Sequence, residues 1–134
     1  MLPEYLVYLT AAYLEDGATD LALVTVEEGL ALTKTNLAKN YEPELLRLKG
    51  QILAKRELVA EAESHLRSSL KLAREEKAHL FELRSLVALA RFLTERERSR
   101  EAREVLIEGR ASLPEPLFAL QEGQAMGELL ASLS

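Results

Sequence analysis

The side chains best suited to chemistry in this sequence are two histidines and several runs of carboxylates. His65 and His79 lie far apart, and neither has the further ligands at helical spacing that a zinc site requires. We therefore expect both histidines at the surface or partly buried, and no metal site. The carboxylates fall in short runs that are typical of solvated helix faces, such as Glu61/Glu63, Glu75/Glu76 and Glu101/Glu104.

Other patterns for catalysis are not recognisable. An acid–base pair of carboxylates needs a cleft with apolar walls, and the sequence places no such cleft around these runs. The six glycines are too dispersed for a phosphate-binding loop, and no serine lies in a nucleophile motif. The sequence therefore predicts that the protein is not an enzyme and uses no cofactor.

Length and composition narrow the class of protein. The 134 residues suffice for about one domain, and the net charge of −5 argues against nucleic acid as a direct partner. The absence of cysteine excludes disulfides and thiolate metal sites. No apolar run approaches the ~20 residues of a membrane-spanning helix, and Pro3 and Glu4 stand where a signal peptide is cationic. We expect a cytoplasmic protein without membrane contact.

The sequence repeats itself at an offset of 40 residues. Small residues match small ones and large apolar residues match large ones, whereas polar positions vary. Two antiparallel helices can approach closely only where one lacks bulk, which explains why small residues recur. The small sets are Thr10/Gly50/Ala90, Ala22/Ala62/Ala102 and Gly29/Ser69/Gly109; the large sets are Leu6/Leu46/Leu86, Tyr13/Leu53/Leu93 and Val26/Leu66/Leu106.

Each copy contains two apolar stripes of helical spacing, separated by a polar break. The sequence thus predicts an all-α fold in a single domain over residues 1–134. Its repeats are expected at about 3–40, 43–80 and 83–114, with a capping helix at about 120–133. The seven helices are expected over about 3–15, 20–37, 42–56, 59–77, 80–95, 99–112 and 120–132.

The second and third copies resemble the tetratricopeptide repeat. The matching positions are large, small, large, then Ala, a large residue and a small one: Leu46, Gly50, Leu53, Ala62, Leu66 and Ser69, and then Leu86, Ala90, Leu93, Ala102, Leu106 and Gly109. Pro114 falls where the family often closes its repeat. The period of 40 exceeds the usual ~34, the family's Trp is Leu in each copy, and the closing Pro is absent from the first two. The resemblance implies a right-handed superhelical stack of antiparallel helix pairs.

Most of the chain, from "PELLRLKG" to "ALQEGQAMGELLASL", also looks like the carboxy-terminal helical repeats of large bacterial regulators that carry an ATP-binding signal-transduction domain. This resemblance implies a protein–protein interaction module in a bacterial signalling or transcription regulator. Two alternatives stay open. The first is a regulatory arm that senses a small molecule, and the second is a structural oligomerisation domain.

The resemblance places the first helix of each pair on a concave groove. Residues off the core stripe then point into the groove, and the partner-binding residues are expected to be Arg47, Gln51, Arg84 and Arg91. Arginine suits carboxylates, so a protein or peptide partner with acidic residues is expected. The alternative is that these are ordinary solvated arginines that pair with the nearby Glu44 and Glu82. Further groove positions are Glu4, Val7, Ala11, Glu44, Lys55 and Val87.

The two ends of the predicted stack differ. The last helix is expected to pack Met126, Leu129, Leu130 and Leu133 inward and to expose Gln124 and Glu128. The first helix crowds Leu2, Tyr5, Leu6, Tyr8 and Leu9 into a few residues. We interpret this edge either as the cut end of a longer array or as a face that meets another chain, with self-association through the amino-terminal repeat as one consequence.

Overall fold

The computed structural model describes residues 3–35 and 39–133, and within these ranges it contains helices and no strand. The all-α prediction is therefore confirmed. Two short 3₁₀ helices, Lys39–Tyr41 and Glu115–Ala119, precede the third and seventh α-helices. The α-helices are α1 (Pro3–Glu15), α2 (Thr19–Thr33), α3 (Glu42–Lys55), α4 (Val59–Glu75), α5 (His79–Glu95), α6 (Ser99–Ser112) and α7 (Gln121–Ser132). None of these helices combines the length and the apolarity needed to cross a membrane.

The predicted second helix, 20–37, is too long. It ends at Thr33, where the Thr33 hydroxyl donates a hydrogen bond to the Leu30 carbonyl at 2.6 Å. The Thr35 hydroxyl donates in the same way to the Leu32 carbonyl at 2.8 Å. Hydroxyls that bond the local backbone compete with helix continuation, so two threonines in succession act as a stop signal. Residues 36 and 37 lie outside the described residues.

Four helices end in the same left-handed turn. Its central residue has a positive φ at Gly17 (78°), Glu57 (63°), Lys77 (56°) and Glu97 (61°), and three of these positions are 40 apart. At the second turn, the Glu57 N–H donates to the Ala54 carbonyl at 3.1 Å and the next N–H donates to the Leu53 carbonyl at 3.0 Å. This is the Schellman motif. The predicted breaks after the first helix of each copy are thereby confirmed, including the two with no local glycine.

The residue after each left-handed position also begins the next helix. The Leu58 carbonyl accepts a hydrogen bond from the Ala62 N–H at 2.9 Å, and the Ala18 carbonyl accepts one from the Ala22 N–H at the same distance. A linker of this kind therefore ends one helix and starts the next. The alanines that follow it, Ala22 and Ala62, are fully buried, so the turn delivers a small residue directly to the interface.

Replacing Glu57 or Glu97 with glycine should stabilise the protein by about 0.5–1 kcal/mol each. A left-handed φ costs a non-glycine residue roughly 1–2 kcal/mol, which outweighs the added chain entropy of glycine. Both carboxylates also lie at the negative end of a helix, whereas Lys77 is favourable there, so Lys77→Gly should gain less. Urea denaturation followed by circular dichroism measures the change. In the control Glu104→Gly, within α6, the same substitution should cost about 1 kcal/mol.

All nine recurring small positions are buried, which confirms the predicted close approach of the helices. A Cβ atom added to Gly50 would lie 2.8 Å from Leu66 Cγ, and one added to Gly29 would lie 2.7 Å from Leu45 Cδ2. A Cβ added to Gly109 would overlap the side chain of Leu86. In each case the large residue of a neighbouring helix occupies the space that the glycine leaves.

The chain divides into two compact units, the first ending at Ser69 and the second beginning at Leu70, with α4 containing the boundary. In the first unit, α2 and α3 form a buried cluster of Ala22, Val26, Leu45, Leu48 and Ile52. Leu46, predicted for the core stripe, is only half-buried, because the buried side of α3 is centred on its neighbours Leu45 and Leu48. In the second unit, the largest fully buried side chains are Leu83, Leu86, Leu89, Leu93, Leu106 and Met126.

The last helix packs within the second unit, against α5 and α6. Met126 is buried, Leu129, Leu130 and Leu133 are half-buried, and the predicted outer residues are exposed. Gly123 has a role that the sequence analysis missed. A Cβ at this position would lie 2.5 Å from the Cα of Phe118, so only glycine lets the first turn of α7 approach the preceding 3₁₀ helix.

Candidate functional site

The predicted groove residues Arg47 and Gln51 lie on α3 in one hydrogen-bonded row with Glu44. Nε and Nη2 of Arg47 each donate to a Glu44 carboxylate oxygen at 3.0 Å, and Nη1 donates to Gln51 Oε1 at 2.9 Å. The side chains of Glu44 and Arg47 are only 3% and 16% exposed. Arg47 therefore pairs with Glu44, as the alternative interpretation predicted, but its side chain is largely buried rather than solvated.

The other two predicted groove residues, Arg84 and Arg91, lie on α5 in the second unit. Nε of Arg84 donates to a Glu122 oxygen at 2.9 Å, which ties α5 to α7. Arg91 is exposed and forms no ion pair with any residue that the structure describes. Of the four predicted binding residues, Arg91 is thus the one whose charge is open to a partner.

The predicted pairing of a groove arginine with Glu82 is wrong. The Glu82 side chain, 5% exposed, accepts a hydrogen bond from Arg74 Nε at 3.2 Å and lies 3.8 Å from His79 Nδ1. The hydroxyl of Ser112 lies 3.5 Å from the same carboxylate. Arg74 reaches Glu82 across the turn between α4 and α5, a spacing that the periodicity of a single helix does not reveal.

These groups line a cavity of about 360 Å³ in the second unit. Its walls carry two cationic or titratable side chains, Arg74 and His79, two carboxylates, Glu82 and Glu108, and the Ser112 hydroxyl. A lining with both signs of charge can hold a small zwitterion. Within the described residues, no group of three or more His, Cys, Asp or Glu side chains could hold a metal ion.

The first unit exposes a row of large apolar side chains on its first helix pair. Tyr5 and Tyr8 on α1 are 53% and 73% exposed, and Leu21 and Val24 on α2 are 53% and 60% exposed. We call these four residues, with the exposed Ala12, the α1–α2 face. Leu6, which the sequence analysis grouped with them, is buried in the interior, and Leu2 lies outside the described residues.

Tyr5 and Leu21 point away from the interior, each on its own helix. Val7 and Ala11 on α1, and Leu23 and Leu30 on α2, pack toward the cluster formed with α3. At 3.6 residues per turn, Tyr5 lies about 160° from Val7 and about 120° from Ala11, and Leu21 lies about 160–180° from Leu23 and Leu30. The same contacts correct two groove positions, because Val7 and Ala11 pack against the core. Val87, a third predicted groove position, is buried.

The internal repeat shows how unusual this exposure is. Tyr5 and Tyr8 correspond to Leu45 and Leu48 in the second copy and to Ser85 and Ala88 in the third, and all four counterparts are buried. On α2 the contrast is one of residue type. Leu21 and Val24 correspond to the exposed residues Glu61/Glu101 and Ser64/Glu104. Leu21 and Val24 were not predicted from the matching positions of the repeat, because their signal lies in the mismatches between copies.

The same helix pair carries the chain's negative charge. Residues 3–35 contain one basic and six acidic residues, so their net charge of −5 equals that of the whole chain. Arg56 and Lys49 neutralise two of the acidic residues, at 3.0 Å from Asp20 and 2.6 Å from Glu27. The remaining acidic residues are Glu4, Glu15, Asp16 and Glu28, and the last three form no ion pair within the described residues.

Glu4 instead anchors the segment that follows α2. The Tyr41 hydroxyl donates a hydrogen bond to Glu4 Oε2 at 3.1 Å. This bond raises the pKa of Tyr41, and burial and the negative charge of Glu4 act in the same direction. Glu4 therefore holds the 3₁₀ helix against the start of α1.

No protein-family model matches the chain, and no curated protein and no solved structure matches it.

Proposed function

We propose that this chain is a protein–protein interaction module, a tetratricopeptide-like scaffold of three helix pairs in a right-handed superhelical stack closed by α7. The proposal is supported by the turn geometry that returns every 40 residues and by the buried small residues that return in step. In folds of this kind, each helix pair buries its apolar side only against its neighbours, and the scaffold presents extended surfaces to partners.

The observation that carries the proposal is the α1–α2 face. Monomeric proteins rarely expose a contiguous apolar patch unless it binds something. Its two tyrosines suit this role, since Tyr is enriched among the residues that dominate binding energy. The module acts in our proposal as a non-enzymatic, cytoplasmic part of a bacterial signalling or transcription regulator, where its partner is another protein.

A lysate pull-down with three matched baits tests the proposal. The baits are the native chain, Tyr8→Glu/Val24→Glu, and a control, Ile107→Glu/Leu120→Glu, whose target residues are 43% and 41% exposed in the second unit. We expect a protein that is enriched by the native chain and by the control but lost from the first double variant. Identical protein profiles for all three baits would reject the interaction module. Arg91→Ala, added as a fourth bait, tests the acidic partner.

One observation favours a second candidate, the regulatory arm that senses a small molecule. The cavity around Glu82 pairs Arg74, which suits a carboxylate, with Glu108, which suits an ammonium group. A thermal-shift screen with the free amino acids as probes tests this role. We expect a stabilising amino acid to lose its effect in Arg74→Met, and a screen without any shift would reject this role.

A further inference from the structure

We propose that the α1–α2 face binds an amphipathic helix of a partner protein whose apolar side is flanked by lysine and arginine. This inference rests on the proposed interaction function and specifies the chemistry of the partner. It follows from three properties of the face. Its counterpart in the second copy is covered by a helix, its exposed apolar residues extend onto α2, and its charge is negative.

The internal repeat indicates that the occupant is a helix. Tyr5, Tyr8 and Ala12 have the counterparts Leu45, Leu48 and Ile52 on α3. Those counterparts are buried in one cluster with Ala22 and Val26 of the preceding helix, α2. The exposed residues of α1 therefore have the same spacing as the α3 residues that pack against a helix.

The width of the face extends this surface onto α2. Leu21 and Val24 on α2, 53% and 60% exposed, add two large apolar side chains to those of α1. A helix with apolar residues at i, i+3, i+4 and i+7 fits a furrow between two helices, which is a common mode of peptide recognition.

Charge decides between partners. Glu15, Asp16 and Glu28 are exposed on the same helix pair and its turn and form no ion pair inside the described residues, so a basic partner gains attraction to them. In a dimer formed through this face, two acidic helix pairs, each with a net charge of −5, would meet and repel each other. The charges thus favour a basic helix over self-association through this edge.

The test uses a fluorescein-labelled synthetic peptide of about 18 residues, or five helical turns, with leucine on one face and lysine elsewhere. One control peptide has the same composition in scrambled order, so that the leucines no longer share a face. A second control has glutamate in place of each lysine. Fluorescence anisotropy should show binding of the first peptide and at least roughly tenfold weaker binding of both controls.

Variants of the face separate apolar docking from general attraction. Tyr8→Glu/Val24→Glu should weaken the peptide's affinity roughly thirtyfold, because the apolar contacts are lost. The substitution makes the protein more acidic, so purely electrostatic binding would instead become tighter. Ile107→Glu/Leu120→Glu adds the same charge elsewhere and should leave the affinity unchanged. Glu28→Lys, which keeps the apolar side chains, should weaken binding and reduce its salt dependence.

Several outcomes would overturn the inference. These are the absence of peptide binding, equal binding of the scrambled or acidic peptide, and undiminished binding by the first double variant with a native circular dichroism spectrum. Sedimentation that shows a dimer of the native chain and a monomer of that variant would assign the face to a second copy. If the peptide fails while the pull-down still yields a partner that depends on Tyr8 and Val24, the interaction module stands and this partner chemistry is rejected.

Discussion

Replacing Gly50 with leucine is expected to cost about 3 kcal/mol or more of the free energy of unfolding. The Cβ alone would lie 2.8 Å from Leu66 Cγ and 3.2 Å from the Ala62 carbonyl oxygen. Leu66 is 1% exposed and cannot swing into solvent, so α3 and α4 must separate. Overpacking a filled core costs about 1–3 kcal/mol even for smaller additions. Since natural domains are stable by only about 5–15 kcal/mol, this change removes a large part of the total.

Alanine at the same position makes the sharper comparison. Alanine favours helix over glycine by about 1 kcal/mol, yet Gly50→Ala should still destabilise because its methyl group has no space. The matched control is Gly127→Ala in α7, where an added Cβ meets no atom within 4 Å. That variant should gain up to about 1 kcal/mol. Urea denaturation monitored by circular dichroism measures both, and a Gly50→Ala protein more stable than the native chain would contradict the close approach of α3 and α4.

The second large effect is expected from Arg47→Met, at about 2–3 kcal/mol of lost stability. Removing the guanidinium leaves the Glu44 carboxylate, 3% exposed, without its bidentate partner. Breaking a fully buried ion pair costs about 3–5 kcal/mol, and the partial exposure of Arg47 reduces this figure. The effect follows from a buried carboxylate that has lost its guanidinium partner, rather than from the strength of the pair.

A double-mutant cycle isolates that cause. Glu44→Leu/Arg47→Met replaces both charges with apolar groups and should recover most of the stability lost in Arg47→Met. The exposed pair Glu63 and Arg67, at 2.9 Å on α4, serves as the control, and Arg67→Met should cost only about 0.3–0.5 kcal/mol. Equal losses at Arg47 and Arg67 would show that the burial of Glu44 has no energetic consequence.

This cycle also bears on how binding experiments are read. A variant of Arg47 that loses a partner could do so because α3 is destabilised. Arg91, which is exposed, can be changed without that consequence. The test of an acidic partner therefore belongs at Arg91, and Arg47 is better regarded as a structural residue of α3.

The helices and the buried small residues were predictable because both arise from packing that repeats. A position such as Ala62 is constrained by the same neighbours in each copy, so the constraint appears three times in one sequence. The end of α2 was not predictable in this way, since the Thr33 hydroxyl bonds the backbone there and the corresponding positions in the other copies, Ala73 and Leu113, carry no hydroxyl. Gly123 was missed for the same reason, because its contact with Phe118 occurs once.

The charged contacts were less predictable than the apolar ones. Pairs three or four residues apart, such as Glu63 and Arg67, follow from helix geometry alone. Arg74 and Glu82 meet only because a left-handed turn at Lys77 brings the end of α4 to the start of α5. Arg84 and Glu122 meet through the packing of α7 on α5. Such pairs depend on tertiary structure, which the spacing of residues does not encode.

The left-handed turns have a consequence for how such a chain can change length. A single residue inserted into the first turn of α4, before Ala62, would rotate the later positions of that helix by about 100° relative to the turn at Glu57. Ala62 would then leave the contact surface, and a charged neighbour, Glu61, would enter it. Duplication of a whole helix pair keeps the turn and its buried alanine in register, whereas a single residue added inside the helix does not.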